Sequence, residues 1–189
     1  MPDVLSNQNC LVLVSGGLDS AACVVFCKEQ GNSVFGLHIS YGQPAAKQEQ
    51  EAASIISRHF NIELRRLDLS GSRMKKSGVI QGRNAFLLVT AMLEMQVSSS
   101  IVVIGVHSGT PYIDCSVNFI NKIQSIYDDY FDGRIRVVAP FLDWTKKEII
   151  EYCSLKNIPF EKTYSCEKGS TPPCGECLSC LDREIIGVS

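Results

Sequence analysis

The chain contains 189 residues, of which 45% are hydrophobic and 20% charged, a composition typical of one folded globular unit. Its 18 basic and 20 acidic residues give a formal net charge of −2, so no global positive field attracts nucleic acid, and direct nucleic-acid binding is not expected. Apolar runs such as 101–104 are far shorter than the roughly 20 residues that cross a bilayer, and residues 1–10 lack a signal pattern. We therefore expect a cytoplasmic protein without membrane contact.

The chain alternates short apolar runs with longer stretches of helical periodicity. Five strands are predicted, at residues 11–14, 34–40, 64–69, 101–106 and 136–139, and of these 11–14 and 101–106 are unbroken apolar runs. The helical stretches predict five helices, at residues 21–30, 45–60, 84–97, 117–131 and 145–155. The third helix is apolar nearly all round, so we expect it to be buried between layers. This alternation predicts an α/β fold with a doubly wound parallel five-stranded sheet, whose ligand lies at the carboxyl ends of the strands.

The first predicted strand runs into a glycine turn, Ser15-Gly16-Gly17-Leu18-Asp19-Ser20, which we call the phosphate loop. Glycines let the backbone approach an anion, and the free amides and dipole of the following helix favour phosphate. The hydroxyls of Ser15 and Ser20 can donate to phosphate oxygens, and Asp19 can hold the Mg²⁺ that accompanies ATP. The alternative is an ordinary glycine turn in which Asp19 or Ser20 caps the helix.

Nine cysteines in a chain without a secretion pattern argue against a disulfide framework. Five are scattered through apolar segments and are expected in the core. The other four form a C-terminal cluster, Cys166, Cys174, Cys177 and Cys180, that suits a structural Zn²⁺ site. Redox use of one Cys-x-x-Cys pair and an iron–sulfur cluster are the alternatives. We therefore divide the chain into a nucleotide-binding domain, residues 1–158, and a zinc-binding segment packed on it, residues 159–189.

The phosphate loop resembles that of the N-type ATP pyrophosphatases, and its pairing with the C-terminal cysteines resembles the 7-cyano-7-deazaguanine synthases, the QueC family. Further similar motifs are Tyr41-Gly42-Gln43, Gly82-Arg83-Asn84, Asp114-Cys115, and Thr145-Lys146 with Glu148. The similarity extends from about residue 10 to about residue 187. It implies the sheet order 3-2-1-4-5. It also implies a ligase that joins carbon to nitrogen while ATP is cleaved to AMP and pyrophosphate.

The resemblance implies that ATP, 7-carboxy-7-deazaguanine and ammonia are converted first to an amide and then to a nitrile, on the route to queuosine. It places ATP on Ser15, Gly16, Gly17, Leu18, Asp19, Ser20 and Gly105. Asp19 and Arg83 are the expected catalytic residues. The expected substrate-binding residues are Tyr41, Arg83, Asn84, His107 and Asp114.

Each substrate-binding assignment has a structural alternative. Asn84 and Asp114 are equally suited to helix capping, and Tyr41 to the core. His107, just past the fourth strand, is placed for acid–base work or for a structural role. His38 and His59 are expected on strand or helix surfaces.

The sequence also departs from the family pattern. Ser40, Pro44-Ala45, Gln81 and Ser116 stand where the family has other, mostly charged residues, and the segment 69–82 is short. Because these changes fall at strand ends, we expect weak retention of the amide, with amide or an amine conjugate accumulating ahead of nitrile.

Three other functions compete with the biosynthetic one. A QueC-like paralogue of an antiphage operon would transfer the deazaguanine acid to an amine of a protein or another acceptor. A non-catalytic zinc module would only bind nucleotide. Sulfur transfer to tRNA is disfavoured by the balanced charge. The sequence leaves open whether the chain forms a homodimer or binds a partner protein.

Overall fold

A computed structural model of the protein describes residues 6–69, 80–95, 100–107, 109–110 and 112–185. A five-stranded, fully parallel sheet forms its centre, in the order β3-β2-β1-β4-β5. The strands are β1 (Asn9–Leu13), β2 (Ser33–Ser40), β3 (Glu63–Asp68), β4 (Ile101–Val103) and β5 (Arg136–Val138). The predicted α/β fold class and strand order are confirmed.

The helices lie on both faces of this sheet. They are α1 (Leu18–Glu29), α2 (Ala46–His59), α3 (Arg83–Ala91), α4 (Val117–Phe131), α5 (Lys146–Leu155) and α6 (Leu178–Ile185). Single 3₁₀ turns occur at Met92–Glu94, Ile113–Cys115 and Phe160–Lys162. No helix of the described ranges is both long and apolar enough to span a membrane.

Two hydrophobic cores flank the sheet because side chains alternate along each strand. In β1, Leu11 and Leu13 point into a core shared with α3 and α4, whereas Cys10 and Val12 point into a core shared with α1, α2 and α5. Both faces of the central strands are therefore covered, which explains the unbroken apolar run of β4, whereas the edge strand β3 carries Arg65 and Arg66.

The helix predicted over 84–97 is shorter and more exposed than expected. α3 ends at Ala91, and Phe86 and Val89 are 39% and 45% exposed. The buried Tyr127 hydroxyl of α4 donates to the Leu88 carbonyl at 2.6 Å, where α3 gives way to the 3₁₀ turn. Residues 96–97 lie outside the described residues. The prediction of a helix buried all round was wrong because only one of its faces meets α4 and the sheet.

The assignment of His38 to a strand surface was also wrong. Its side chain is 2% exposed, and its Nδ1 donates to the Val14 carbonyl at 2.9 Å. β2 lies between two other strands under a layer of helix, so a residue on either face of it is covered.

The C-terminal segment packs against the phosphate loop and the start of α2. The Tyr164 amide donates to the Gly16 carbonyl at 2.9 Å, and Gln48 Nε2 donates to the Gly169 carbonyl at 2.6 Å. A Cβ atom at Gly169 would lie 2.2 Å from the Pro44 carbonyl oxygen, so glycine is required for this approach. The boundary at residue 158 stays a prediction.

Candidate functional site

An open cleft of about 560 Å³ lies at the carboxyl ends of β1, β2 and β4. It brings together residues from segments that are distant in sequence. The predicted site residues that line it are Ser15, Gly17, Leu18, Asp19, Ser20, Tyr41, Arg83, Asn84, Gly105, His107 and Asp114. Gly16 is the one predicted nucleotide-site residue that does not line it.

The phosphate loop leaves the start of α1 without a side-chain cap. Gly17 is the N-cap residue, and the Ser20 hydroxyl donates to the Gly17 carbonyl at 2.8 Å instead of accepting from a helix amide. The Ser15 hydroxyl accepts from the Gly17 amide at 3.3 Å. The amides of the first turn of α1 are therefore not capped by Asp19 or Ser20, and they suit an anion.

Two glycines allow the elements around the loop to approach closely. Gly16 has a φ of +88°, and a Cβ atom there would lie 2.7 Å from the Glu49 carbonyl oxygen of α2. A Cβ atom at Gly105 would lie 2.9 Å from the Asp19 carbonyl oxygen. Because Gly16 has no side chain, α2 can pack directly against the phosphate loop. Because Gly105 has none, the segment after β4 can pack against the first turn of α1.

Asp19 forms an ion pair with Lys146, whose Nζ lies 2.6 Å from Asp19 Oδ1. The side chains are 24% and 28% exposed. Lys146 begins α5, and a capping box between Thr145 and Glu148 fixes the start of that helix. The Thr145-Lys146 motif was noticed in the sequence, but Lys146 was missed as a site residue because its partner lies 127 positions away.

Two hydrogen bonds connect Asn84 to Asp114. Asp114 Oδ2 accepts from the Asn84 amide at 3.2 Å, and Asn84 Nδ2 donates to the Asp114 carbonyl at 3.1 Å. Asp114 thus caps α3 from another segment, as the structural alternative predicts. Within the described ranges, no hydrogen bond or ion pair involves the exposed Arg83 side chain beside them, which leaves its guanidinium available to an anion.

Tyr41 belongs to a polar array that joins the end of β2 to α2. Gln43 accepts from the Tyr41 amide at 2.9 Å through Oε1, and Gln43 Nε2 donates to Glu49 Oε2 at 2.8 Å. The Tyr41 ring packs edge-on against Phe86, and burial raises the pKa of its phenol. Gln43 and Glu49 are cleft residues that the sequence reasoning missed.

His107 is 9% exposed, and its Nδ1 has no hydrogen-bond partner in the described part of the chain. Burial lowers the pKa of the imidazole, outweighing the opposite effects of Asp19 and Asp182. A neutral ring at pH 7 follows, which is the form that accepts a proton.

The four C-terminal cysteine sulfurs all lie within 4.8 Å of one another, and Cys174 and Cys180 are 3.9 Å apart. A tetrahedron with metal–sulfur bonds near 2.3 Å has edges of about 3.8 Å, so the cluster could hold a metal ion. Burial raises the pKa of Cys166, but hydrogen bonds from Ser170 and backbone amides lower it to about 5. Burial and the neighbouring sulfurs raise that of Cys180 to about 12. A cation would relieve this mutual repulsion.

The metal-binding segment also forms one wall of the cleft, which the sequence reasoning missed. Six of its lining residues lie within three positions of a clustered cysteine on either side of the cluster: Ser165, Glu167, Leu178, Ser179, Asp182 and Arg183. Phe160, Thr163 and Tyr164 of the same segment line the cleft as well. Arg183 donates to the Phe160 and Thr163 carbonyls and so ties α6 to the preceding turn. The segment that carries the cysteine cluster therefore shapes the cleft.

Three residues that depart from the family pattern lie outside the cleft, where the sequence had suggested that they would contact substrate. Ser40, Ala45 and Ser116 do not line the cleft. Ser116 instead caps α4 by accepting from the Phe119 amide at 3.2 Å, and Ala45 is 2% exposed beneath Gly169. These three side chains therefore do not contact the cleft directly, and their effect on the substrate stays a prediction. Residues 70–79 of the shortened segment lie outside the described residues.

Comparison with known proteins gives consistent matches. Residues 9–81 and 70–185 match the family model described as "Queuosine biosynthesis protein QueC". A 7-cyano-7-deazaguanine synthase of Prochlorococcus marinus (strain MIT 9301) is 35% identical, covering 95% of this chain and 93% of that protein. The 7-cyano-7-deazaguanine synthase of Sulfurihydrogenibium sp. (strain YO3AOP1) is 30% identical, with 96% and 95% covered.

A solved structure supports the fold independently. The NH3-dependent NAD synthetase from Campylobacter jejuni superposes with a TM-score of 0.52, covering 84% of this chain and 70% of that one. The two sequences are 19% identical, so this likeness concerns the fold alone.

Proposed function

The chain belongs to the QueC family, and on this premise we propose that it adenylates 7-carboxy-7-deazaguanine with ATP and converts the product to 7-cyano-7-deazaguanine. Ammonia supplies the nitrogen, and AMP and pyrophosphate are released. One observation carries the proposal: a phosphate loop without a side-chain cap, a lysine, and an arginine with no side-chain partner among the described residues line one cleft at the carboxyl edge of a parallel sheet.

Adenylation requires that negative charge on the phosphates be stabilised while the carboxylate attacks. The amides of the phosphate loop and the first turn of α1 would hold the pyrophosphate, with Lys146 beside it. Arg83 would orient the substrate carboxylate or the α-phosphate by paired hydrogen bonds. The carboxylate oxygen attacks the α-phosphorus, and the bond to pyrophosphate breaks.

Nitrogen enters in the second half of the reaction. Ammonia attacks the acyl carbon and expels AMP, giving the amide after loss of a proton. The amide oxygen then attacks the α-phosphorus of a second ATP and displaces pyrophosphate, and loss of AMP and of both protons from nitrogen leaves the nitrile. The neutral His107 ring, which lines the cleft, is suited to accept one of these protons.

Two metal ions fit the residues present. Asp19 uses one carboxylate oxygen for Lys146, and its other oxygen would hold the Mg²⁺ that neutralises the phosphates. Cys166, Cys174, Cys177 and Cys180 would hold Zn²⁺, which four thiolates surround completely, so its contribution is structural.

Nitrile is the product that we propose. Weak amide retention was expected from the short segment 69–82 as well as from Ser40, Ala45 and Ser116. These three side chains do not line the cleft, and Ile80 of the short segment does. A retained amide is adenylated again before it leaves, so two AMP form for each acid.

The product mixture tests this proposal. The protein is incubated with ATP, Mg²⁺, 7-carboxy-7-deazaguanine and ¹⁵N-ammonium, and products are followed by mass spectrometry. We expect ¹⁵N-nitrile and two AMP per acid. Accumulated amide, or an adduct on an added amine or protein, would favour the paralogue that transfers the acid to an amine. ATP bound without any AMP formed would favour a non-catalytic module.

A further inference from the structure

We propose that Glu167, in the metal-binding segment, recognises the base of the substrate by accepting hydrogen bonds from N1–H and the 2-amino group of a guanine-like ring. This inference rests on the proposed function and adds to it a specificity residue for the acid. It also links metal binding to substrate recognition, because Glu167 directly follows the proposed metal ligand Cys166.

Glu167 has the local structure that this role requires. Its side chain is half-buried and lines the cleft. The Ser179 hydroxyl donates to Glu167 Oε1 at 3.0 Å and thereby orients the carboxylate. Within the described ranges no ion pair involves Glu167, since the adjacent Lys168 pairs with Glu176 instead. Oε2 and the remaining lone pair of Oε1 are left for a ligand.

The other carboxylates of the cleft are engaged or poorly placed. Asp19 pairs with Lys146, and Asp114 caps α3. Glu49 is held by Gln43, and its own backbone carbonyl packs against Gly16, which puts it beside the phosphates. Asp182 is exposed, and no hydrogen bond orients it in the described residues. Glu167 is thus the cleft carboxylate that a serine hydroxyl orients and that forms no ion pair within the described ranges.

The chemistry of the base matches a carboxylate. A guanine-type ring presents two adjacent N–H donors on one edge, and two carboxylate oxygens can accept both. The corresponding edge of adenine has a single donor beside an acceptor, so ATP gains less from Glu167. Paired hydrogen bonds of this kind discriminate between bases by about 1–3 kcal/mol in nucleic-acid recognition.

The placement of Glu167 also suits the length of the substrate. The acid group at position 7 must face the phosphate loop, and the N1 and 2-amino edge lies at the opposite end of the fused ring. Tyr164 bonds to Gly16 in the loop, and Glu167 follows three residues later, within about 10 Å of extended chain. A two-ring base bridges a gap of this scale.

The test is acid-dependent release of pyrophosphate by metal-loaded protein. For Glu167→Gln we expect the KM for 7-carboxy-7-deazaguanine to rise at least about 10-fold, while the KM for ATP stays within about 2-fold of wild type. Glu184→Gln is the matched control, because Glu184 is exposed in the same helix as Ser179 and does not line the cleft. Its KM values should equal those of wild type.

An analogue of the acid that lacks the 2-amino group makes the test specific. Wild type should prefer the full acid, and Glu167→Gln should lose this preference. If a metal-loaded Glu167→Gln variant keeps both the KM and the preference, the proposal is overturned. If Glu167→Gln fails to fold, Glu167→Asp replaces it in the test, because this change withdraws the carboxylate by one methylene. Glu167→Asp should lose the preference for the full acid. An unchanged preference would overturn the proposal. A wild type that releases no pyrophosphate with the acid instead refutes the proposed function.

Discussion

Lys146 Nζ lies 2.6 Å from Asp19 Oδ1, and this ion pair joins the first turn of α5 to the first turn of α1 at the mouth of the phosphate loop. The pair sets the charge of the cleft where the phosphates are expected. Because each side chain is about a quarter exposed, its contribution to stability is small, and a role toward a ligand explains its position better.

Replacing Lys146 should therefore affect catalysis more than folding. For Lys146→Met we expect acid-dependent release of pyrophosphate to fall about 100-fold or more, with the free energy of unfolding changed by less than about 1 kcal/mol. Coupled detection of pyrophosphate and urea titration measure the two effects. Lys147→Met is the control, because Lys147 is 86% exposed and pairs only with Glu151 at 3.8 Å. Equal activities of the two variants would exclude a role for Lys146.

Gly105→Ala tests the close approach of β4 to α1. The added Cβ atom would lie 2.9 Å from the Asp19 carbonyl oxygen, so the loop must shift. We expect a destabilisation of about 1–3 kcal/mol together with weaker binding of ATP, measured by calorimetry. Gly133→Ala has open space around it but a φ of +68°, so it should cost about 1 kcal/mol and leave ATP binding intact. If Gly105→Ala binds ATP as tightly as wild type, the close approach of β4 to α1 is not required for nucleotide binding.

The sheet could be predicted from sequence because its signals are local. The central strands β1 and β4 are short apolar runs, and helical periodicity between strands requires crossovers that place helices on both faces. The end of α3 was not predicted, and neither was the hydrogen bond to its Leu88 carbonyl from Tyr127, which lies 39 positions away in the sequence. The burial of His38 likewise depends on the neighbours of β2 rather than on its own sequence.

The candidate site could be predicted where one motif supplies several residues. The phosphate loop and the four cysteines are such motifs, and the residues of each lie together in the fold. Lys146, Glu49 and Glu167 were missed because each enters the cleft from a different element. Ser116 illustrates the opposite case. Its departure from the family pattern led us to expect it in the substrate pocket, but its hydroxyl caps α4.

Loss of one clustered cysteine should release the metal and open one wall of the cleft. For Cys177→Ser we expect the zinc content to fall from about one per chain, with lower solubility and weaker binding of the acid, because Glu167 and Ser179 flank metal ligands. Elemental analysis by mass spectrometry measures the metal. Cys23→Ala removes a fully buried core thiol outside the cluster and should keep the metal. Wild-type protein without zinc or iron would contradict the assignment.

Acidification should destabilise the protein in part through His107. Burial lowers the pKa of its ring below the usual value of about 6.5, so the unfolded chain binds this proton more readily than the native state. The contribution of the neutral ring to stability is complete above the unfolded pKa and is lost as pH falls through the lowered native pKa.

His107→Asn should therefore lose less unfolding free energy than wild type between about pH 7.5 and pH 5. Urea titrations at several pH values measure this difference. His59→Asn, at an exposed position of α2, should retain the wild-type pH dependence. A wild-type dependence in His107→Asn would show that other groups account for it.

The fate of the carboxylate oxygen tests the central claim most directly. 7-Carboxy-7-deazaguanine labelled with ¹⁸O in both carboxylate oxygens is incubated with the protein, ATP, Mg²⁺ and ammonium, and the AMP is analysed by mass spectrometry. If the carboxylate attacks the α-phosphorus within this cleft, each AMP formed carries one ¹⁸O from the acid. AMP without label, or label found only in inorganic phosphate, would contradict adenylation of the acid.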